Sequence, residues 1–437
     1  MVAGGVAGGL PISTSQSSGL EGGIRPASRF RDLQFTKKPL HIPYSEFEPY
    51  KADIRKRVEI SRTSGLDGLL GIHVMSGQGL KSSKTSLRDL YCVVAVDSIN
   101  KARTMIRTGA INFDWDEAFD VELEDSKEVS FLIYHWDPNY KHRLCFHGSV
   151  LLPGYVLSGQ KKFVAIKMEP KGILFVAMLY KEPAVSLQRL PSVKKNALFG
   201  VDLETVIQRE KSILNVPLLV HKCIEEIERR GLETIGIYRL CGSARRKVLL
   251  REAFEKNAQA VDLSPENVSD VHVITGVLKD YLRELPEPLF TNALYQMLLD
   301  ALSVASPHLR RKMCWVWLQS REATGVDTMT VVLNHLKRVA SNSDKNKMTL
   351  ENLAICLGPA LLCPSPATST DAALDFKKHI EVLLYLLQIW DNGSNTSTSK
   401  SSTADTVVSV ETGSGGGTTA ESSESQPRQE RIAMDGD

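Results

Sequence analysis

The stretch His272-Val-Ile-Thr-Gly-Val-Leu-Lys279-Asp-Tyr-Leu-Arg283-Glu-Leu285, followed by Pro286, decides how the second half of the chain folds. Val273, Ile274, Val277, Leu278, Tyr281, Leu282 and Leu285 recur every three or four residues, so a helix gathers them on one face. Pro286 stops that helix, because the residue before a proline is pushed out of the helical region. Lys279 and Arg283 lie close together on the opposite face, with His272 nearby. Two like charges four residues apart repel slightly in an isolated helix. Periodicity alone leaves two readings of that basic face: it is solvated, or an anionic partner or a carbonyl-rich loop docks on it.

The same helical spacing extends outward in both directions. Leu219, Val220, Cys223, Ile224 and Ile227 form a stripe between Pro217 and Gly231, residues tolerated at a helix start and end. Met329, Val332, Leu333, Leu336 and Val339 form a third stripe, and Ile380, Leu383, Leu384 and Leu387 a fourth. Residues 199–391 therefore predict an all-α domain, long enough to bury a sizeable core. Upstream, residues 66–181 change period. Short β-branched and aromatic runs alternate with Gly, Pro, Asn and Asp turns, which predicts eight strands near 68–76, 89–97, 102–108, 116–123, 129–136, 146–152, 161–168 and 172–180, and hence a sandwich. Residues 182–198 hold two prolines and little apolar periodicity and read as a linker. Residues 1–65, rich in Gly and Ser and then basic around Lys51–Arg62, and the Ser/Thr/Gly-rich tail 392–437, read as mostly disordered. The chain is thus multidomain: an all-β sandwich, then an all-α bundle.

Composition narrows the function classes. The chain has 437 residues, 42% hydrophobic and 24% charged, with a net charge of +2, so no global field points to nucleic acid. The longest apolar stretch, near Gly172–Tyr180, is too short to span a bilayer. The first residues lack a basic region and a strong apolar core, so no signal peptide is read there. Seven scattered cysteines without CxxC pairs fit buried free thiols in a reducing compartment better than disulfides or zinc. Neither GxxxxGK[ST], GxGxxG nor HExxH is present. If the helical half acts on a phosphate, another protein must hold that phosphate.

Three blocks carry a resemblance. Gly236-Ile-Tyr-Arg239-Leu-Cys-Gly242-Ser places an arginine between glycines, which permit tight turns that push a side chain outward. Leu278-Lys-Asp-Tyr-Leu-Arg-Glu-Leu-Pro-Glu-Pro-Leu289 follows, then Asn346-Lys-Met-Thr-Leu-Glu-Asn352-Leu-Ala-Ile-Cys-Leu-Gly-Pro-Ala-Leu-Leu362. In this order and spacing they resemble the Rho GTPase-activating (RhoGAP) family over about 190 residues. The resemblance implies that family's helical bundle. It puts Arg239 on the arginine finger, Lys279 on the lysine that contacts the GTPase, Arg283 on the arginine that braces the finger loop, and Asn352 on the asparagine that bonds the partner near its switch regions. On a helical wheel Asn352 lies opposite Leu350, Leu353, Ala354 and Leu357, free to face outward. Cys241 stands where the family usually has Ser. The implied partner is a small GTPase of the Rho, Rac or Cdc42 type. No cofactor of the chain's own is implied, because GTP and Mg²⁺ belong to that GTPase. The chain would then be an enzyme activator rather than an enzyme with its own substrate site.

Residues 66–181 resemble a C2 domain, through Leu69-Leu-Gly-Ile-His-Val, Asp89-Leu-Tyr-Cys-Val-Val, Phe113-Asp-Trp-Asp-Glu-Ala-Phe119 and Phe131-Leu-Ile-Tyr-His-Trp-Asp137. Calcium-binding C2 domains gather about five aspartates at one tip, since Ca²⁺ needs hard oxygen ligands. Here Asp89 and Asp137 remain, while other positions hold Ser83–Lys84, His135 and Arg143, so no metal site is expected. Lys81, Lys84, Arg88, Lys141, His142 and Arg143 would gather at that tip. They would meet anionic lipid at roughly 1 kcal/mol each, or form a soluble basic rim, or meet a protein.

A C2 sandwich directly before a RhoGAP bundle, with Val216-Pro-Leu-Leu-Val-His-Lys-Cys-Ile-Glu-Glu-Ile227 in addition, is similar to the synapse-defective (Syd-1-like) RhoGAP family. That similarity implies a role in presynaptic assembly or cytoskeletal signalling, with synaptic scaffold proteins as further partners. It also implies a cytoplasmic, peripheral-membrane or presynaptic location. Two functions stay open: a catalytic regulator, or a scaffold that binds a GTPase without catalysis. A scaffold has no need of Arg239.

Overall fold

In the strand Phe113–Ser126, Phe119, Val121 and Leu123 point inward and Ala118, Asp120, Glu122 and Glu124 point outward, the two-residue alternation of a pleated strand. Strands of this kind build the first half of the computed structural model, which describes residues 40–80, 89–108, 112–137, 142–319, 323–363 and 376–390. The strands are β1 (Glu48–Tyr50), β2 (Leu66–Gln78), β3 (Asp89–Val96), β4 (Ile99–Arg103), β5 (Arg107–Thr108), β6 (Phe113–Ser126), β7 (Glu128–His135), β8 (Arg143–Leu151), β9 (Lys161–Lys167) and β10 (Ile173–Lys181). The third expected strand, 102–108, is two short ones. One sheet has the order β1-β9-β10-β2-β6; the other has β4-β3-β7-β8, with β5 also paired to β3. Their facing sides share a core that includes Leu70, Ile72, Val94, Trp115, Phe131 and Val176. Strand β6 lies at the edge of its sheet.

Residues 40–65 depart from the expected disorder. Strand β1 pairs in parallel with β9, and helix α1 (Ile54–Ile60) follows, its start capped by the Asp53 carboxylate accepting from the Arg55 amide. Ile42 and Phe47 are buried against Met75, Phe175 and Ala177, on the sheet face turned away from the main core. The Gly/Ser-rich residues upstream dominate a compositional window, which conceals four apolar anchors: Leu40, Ile42, Phe47 and Tyr50. Residues 1–39 and the tail beyond 390, both expected to be disordered, lie outside the described residues.

The linker holds one short helix, α2 (Pro183–Ser186). The bundle follows: α3 (Leu203–Glu210), α4 (Leu218–Arg230), α5 (Ala244–Asn257), α6 (Val271–Glu284), α7 (Asn292–Leu302), α8 (Pro307–Gln319), α9 (Ala323–Ser341), α10 (Ser343–Asn346), α11 (Leu350–Leu362) and α12 (Phe376–Ile389). The apolar stripes on α4, α6, α9 and α12 meet in one core that runs from Leu198 to Trp390. None of the seven cysteines forms a disulfide, and five of them are buried. No described helix is long and apolar enough to cross a membrane.

Candidate functional site

Arg239 sits on the loop between α4 and α5, and the backbone of that loop is tied down on every side. Gly236 has φ +70°, a left-handed conformation that glycine adopts freely, and a Cβ there would come within 2.8 Å of Leu240. The Gly236 carbonyl accepts from the amides of Arg239 (2.9 Å) and Leu240 (2.7 Å). The Gly236 amide donates to the Asn346 carbonyl at 2.7 Å. Asn346 is fully buried; its Nδ2 donates to the carbonyls of Leu232 and Val339, and its Oδ1 accepts from the Met348 amide, each at 2.8 Å. Gly242 lets the loop close against the start of α6, where a Cβ would lie 2.6 Å from the Val273 nitrogen.

Tyr238 is the unusual member. It adopts φ +68° without being glycine, a conformation that costs on the order of 1 kcal/mol. Its ring is buried and its hydroxyl lies 2.7 Å from His335 Nε2, while His335 Nδ1 lies 2.9 Å from Glu228. An ionised Glu228 only accepts, so Nδ1 carries the proton and Nε2 accepts from the Tyr238 hydroxyl. This anchoring offsets the strain and fixes the carbonyl that precedes Arg239. The Arg239 side chain itself is half-buried, and its Nε has no hydrogen-bond partner among the described residues. The loop is fixed, and the buried Nε at its centre is left without a partner among the described residues.

Helix α6 carries Lys279 and Arg283, as its periodicity predicts, but the basic face is not solvated. Lys279 is 7% exposed. It donates to the Tyr238 carbonyl at 3.2 Å and to Glu122 Oε2 of strand β6 at 2.9 Å. Both parts of the docked reading, carbonyl and anion, meet on this one ammonium. Arg283 reaches Asp280 Oδ1 (3.3 Å) and the other oxygen of Glu122. It makes no hydrogen bond to the Arg239 loop among the described residues; the contact of α6 with that loop shown here is the one from Lys279 to the Tyr238 carbonyl. Asn352 lies in the first turn of α11; Thr349 caps that turn by accepting from the Asn352 amide, and the Asn352 side chain donates to the Lys347 carbonyl at 3.1 Å. One turn on, Cys356 feels the charges of Lys279, Glu122 and Arg239, so this face of α11 borders the same site.

The opposing charges come from the sandwich. Burial works to raise the Glu122 carboxyl, but Lys279 and Arg283 overcome it and hold it down at about 2. Glu122 in turn keeps the buried Lys279 ammonium above its ordinary range against the desolvation that would lower it. Next along the strand, Asp120 pairs with Lys247 of α5 at 2.9 Å, and Lys247 also meets Asp280 at 2.9 Å. The Cys241 amide donates to the Lys101 carbonyl at 2.7 Å, an isolated bridge between β4 and the finger loop. Asp120, Glu122 and Lys247 were not singled out in the sequence. The period-two carboxylates at 120, 122 and 124 mark an acidic strand face, but nothing local says what it meets.

At the other end of the sandwich, Asp89 and Asp137 are brought close, since the Trp136 amide donates to the Asp89 carbonyl at 2.8 Å. Among the described residues no group of three or more His, Cys, Asp or Glu is placed to hold a metal ion. Arg143 opens β8 and is exposed. Lys81, Lys84, Arg88 and Lys141 lie outside the described residues.

Comparison with known proteins bears on both halves. Residues 217–366 match the RhoGAP domain, and residues 67–183 match the C2 domain of synapse defective Rho GAP protein. Rho GTPase-activating protein 100F of Drosophila melanogaster is 43% identical over 373 residues, which are 81% of this chain and 20% of the fly protein. Rho GTPase-activating protein SYDE1 of Rattus norvegicus is 38% identical over 79% of this chain and 48% of the rat protein. Rho GTPase-activating protein syd-1 of Caenorhabditis briggsae is 32% identical over 81% of this chain and 38% of the worm protein. The chain therefore spans less than half the length of these curated relatives. The chain therefore carries the C2 domain of synapse defective Rho GAP proteins followed by a RhoGAP domain, and it shares extended similarity with Rho GTPase-activating proteins of the Syd-1 and SYDE1 kind.

Proposed function

We propose that the chain accelerates GTP hydrolysis by a Rho-family small GTPase, with Arg239 inserted in trans. The observation that carries this reading is the contrast within one loop: a backbone tied to Asn346 and Lys279, a Tyr238 side chain tied to His335, and an arginine whose Nε has no partner among the described residues. Hydrolysis builds negative charge on the β–γ region of GTP in the transition state. A planar guanidinium, always protonated and able to donate two parallel hydrogen bonds, stabilises that charge. Fixing the loop beforehand removes the cost of ordering it during reaction. The GTPase supplies the phosphate loop, Mg²⁺ and the water-orienting glutamine. Lys279 and Asn352 would contact the GTPase, and the sandwich would anchor the chain to anionic lipid or to a protein.

A trans finger contributes roughly 10³–10⁵ in rate, or about 4–7 kcal/mol. In single-turnover hydrolysis across a panel of Rho-family GTPases, Arg239→Ala is therefore expected to lose three decades or so of acceleration while retaining much of the affinity for the GTP-bound partner. Arg239→Lys is expected to fail as well, because an ammonium lacks the planar fork. Binding to the GDP–aluminium fluoride complex should fall with Arg239→Ala. A rate within about twofold of wild type would sink the finger assignment.

A further inference from the structure

The face of the bundle that the proposed function gives to the GTPase is already covered. Lys279 has two hydrogen-bonding partners; Tyr238 lies in the bundle and Glu122 in the sandwich. The Glu122 carboxylate spans Lys279 and Arg283, one oxygen to each. Asp120 sits on Lys247, so consecutive outward positions of β6 are both engaged. Beside them, β4 adds a backbone hydrogen bond to the finger loop itself, from the Cys241 amide to the Lys101 carbonyl, two residues after Arg239. These carboxylates project from the face of β6 opposite Phe119, Val121 and Leu123, the side turned away from the sandwich core.

We propose that the β6 carboxylates form a docking surface for the GTPase-facing side of the bundle, so that sandwich and GTPase compete for the same face and the chain holds itself closed. This rests on the reading of that face as the GTPase contact. Three observations favour a separable contact over a permanent one. Ion pairs and one backbone hydrogen bond make up much of it, and such contacts confer orientation more than affinity. The sandwich and the bundle have distinct cores, and among the described apolar residues of the bundle only Cys241 packs against the sandwich core. The crevice between β6 and helices α11 and α12, bordered by Leu123, Ile355 and Ile380, encloses about 60 Å³ that neither side fills. A GTPase that contacts Lys279 must first displace Glu122.

Charge reversal tests this in the whole 437-residue chain. Glu122→Lys puts a third cation against Lys279 and Arg283 and should open the contact. The Cys241 amide is then expected to exchange with solvent at least about tenfold faster than in wild type. Affinity for a Rho-family GTPase bound to GDP–aluminium fluoride should rise at least about tenfold, and single-turnover hydrolysis should rise with it. Ala102→Cys works in the other direction. Ala102 is the bridge partner of Cys241, so oxidation should join the two sulfurs and lock the chain closed. The locked chain should lose GTPase binding about tenfold or more and recover it on reduction, which also serves if Glu122→Lys fails to fold. Rapid Cys241 exchange in wild type overturns the proposal, and so does GTPase affinity that neither variant changes. If affinity responds as expected but no chain speeds hydrolysis on any GTPase of the panel, the closed contact stands and the activating function fails.

Discussion

Tyr238 links fold stability to the position of Arg239. Its left-handed backbone persists because the ring is buried and its hydroxyl reaches His335, which Glu228 orients from the other side. Burial lowers the affinity of His335 for a proton more than Glu228 raises it, so the ring stays neutral in the folded chain. The sign of the pH effect follows. As pH falls below about 6.5, the unfolded chain binds a proton that folded His335 refuses, and stability drops. Burial also raises Glu228, but the hydrogen bond from neutral His335 and the adjacent Arg338 guanidinium outweigh it and leave the carboxyl below its usual range. Its share of stability is lost at lower pH, below about 4.3. His335→Gln keeps a donor for Glu228 and an acceptor for Tyr238 but does not titrate between pH 7 and 5. Urea unfolding should therefore show a shallower fall in stability over that interval, by at most about 1.4 kcal/mol per pH unit. An unchanged slope would remove His335 from this role. Arg239, Lys279 and Asn352 stand out as candidates in the sequence because each sits in a contiguous block that carries the family resemblance. His335 lies 97 residues from Tyr238, and no local pattern joins them.

At the scale of elements, the linker does more than its composition predicts. Helices leave their last four carbonyls without internal partners. Arg189 is 4% exposed and donates to five of them at the ends of α6 and α11: Leu282 (3.0 Å), Arg283 (2.7 Å), Leu285 (3.0 Å), Ala360 (2.8 Å) and Cys363 (2.9 Å). Burial lowers this guanidinium to about 10, so it remains charged at neutral pH. A cation at helix C-termini also suits their dipoles. Arg189→Met is expected to cost about 3 kcal/mol or more, since buried carbonyls lose their donor together. Arg189→Lys should recover less than half, because an ammonium has three donors for five acceptors. A urea midpoint shifted by less than the equivalent of about 1 kcal/mol would contradict this account. The stripes on α4, α6, α9 and α12 were legible because each repeats its period over three or more turns. A lone arginine among prolines has no period, and β1 with its anchors is short and follows a Gly/Ser-rich run.

For the whole molecule, the sequence reveals two folding units in order, and the contact between them is legible only in three dimensions. β6 reads as an ordinary half-buried strand and α6 as an ordinary amphipathic helix; the complementarity of their outward faces appears when Glu122 meets Lys279 157 residues away. That contact has a physical signature that separates it from the core of the bundle. The side chains of Glu122 and Asp120 are 30% and 35% exposed, so salt reaches the pairs they form. The screening length falls from about 10 Å at 0.1 M to about 3 Å at 1 M ionic strength. Partly exposed pairs are worth roughly 0.2–1 kcal/mol each, so weakening three of them together removes on the order of 1 kcal/mol, about a fivefold change in the closed population. Two amides of the finger loop report this independently. The Cys241 amide bonds across to Lys101 of the sandwich, and the Gly236 amide bonds to Asn346 inside the bundle. Raising the salt from 0.1 to 1 M, values chosen to span the two screening lengths above, should speed exchange at Cys241 by about fivefold and leave Gly236 nearly unchanged. Equal acceleration at both would mean that salt loosens the loop as a whole, and the sandwich would then have no separable hold on it.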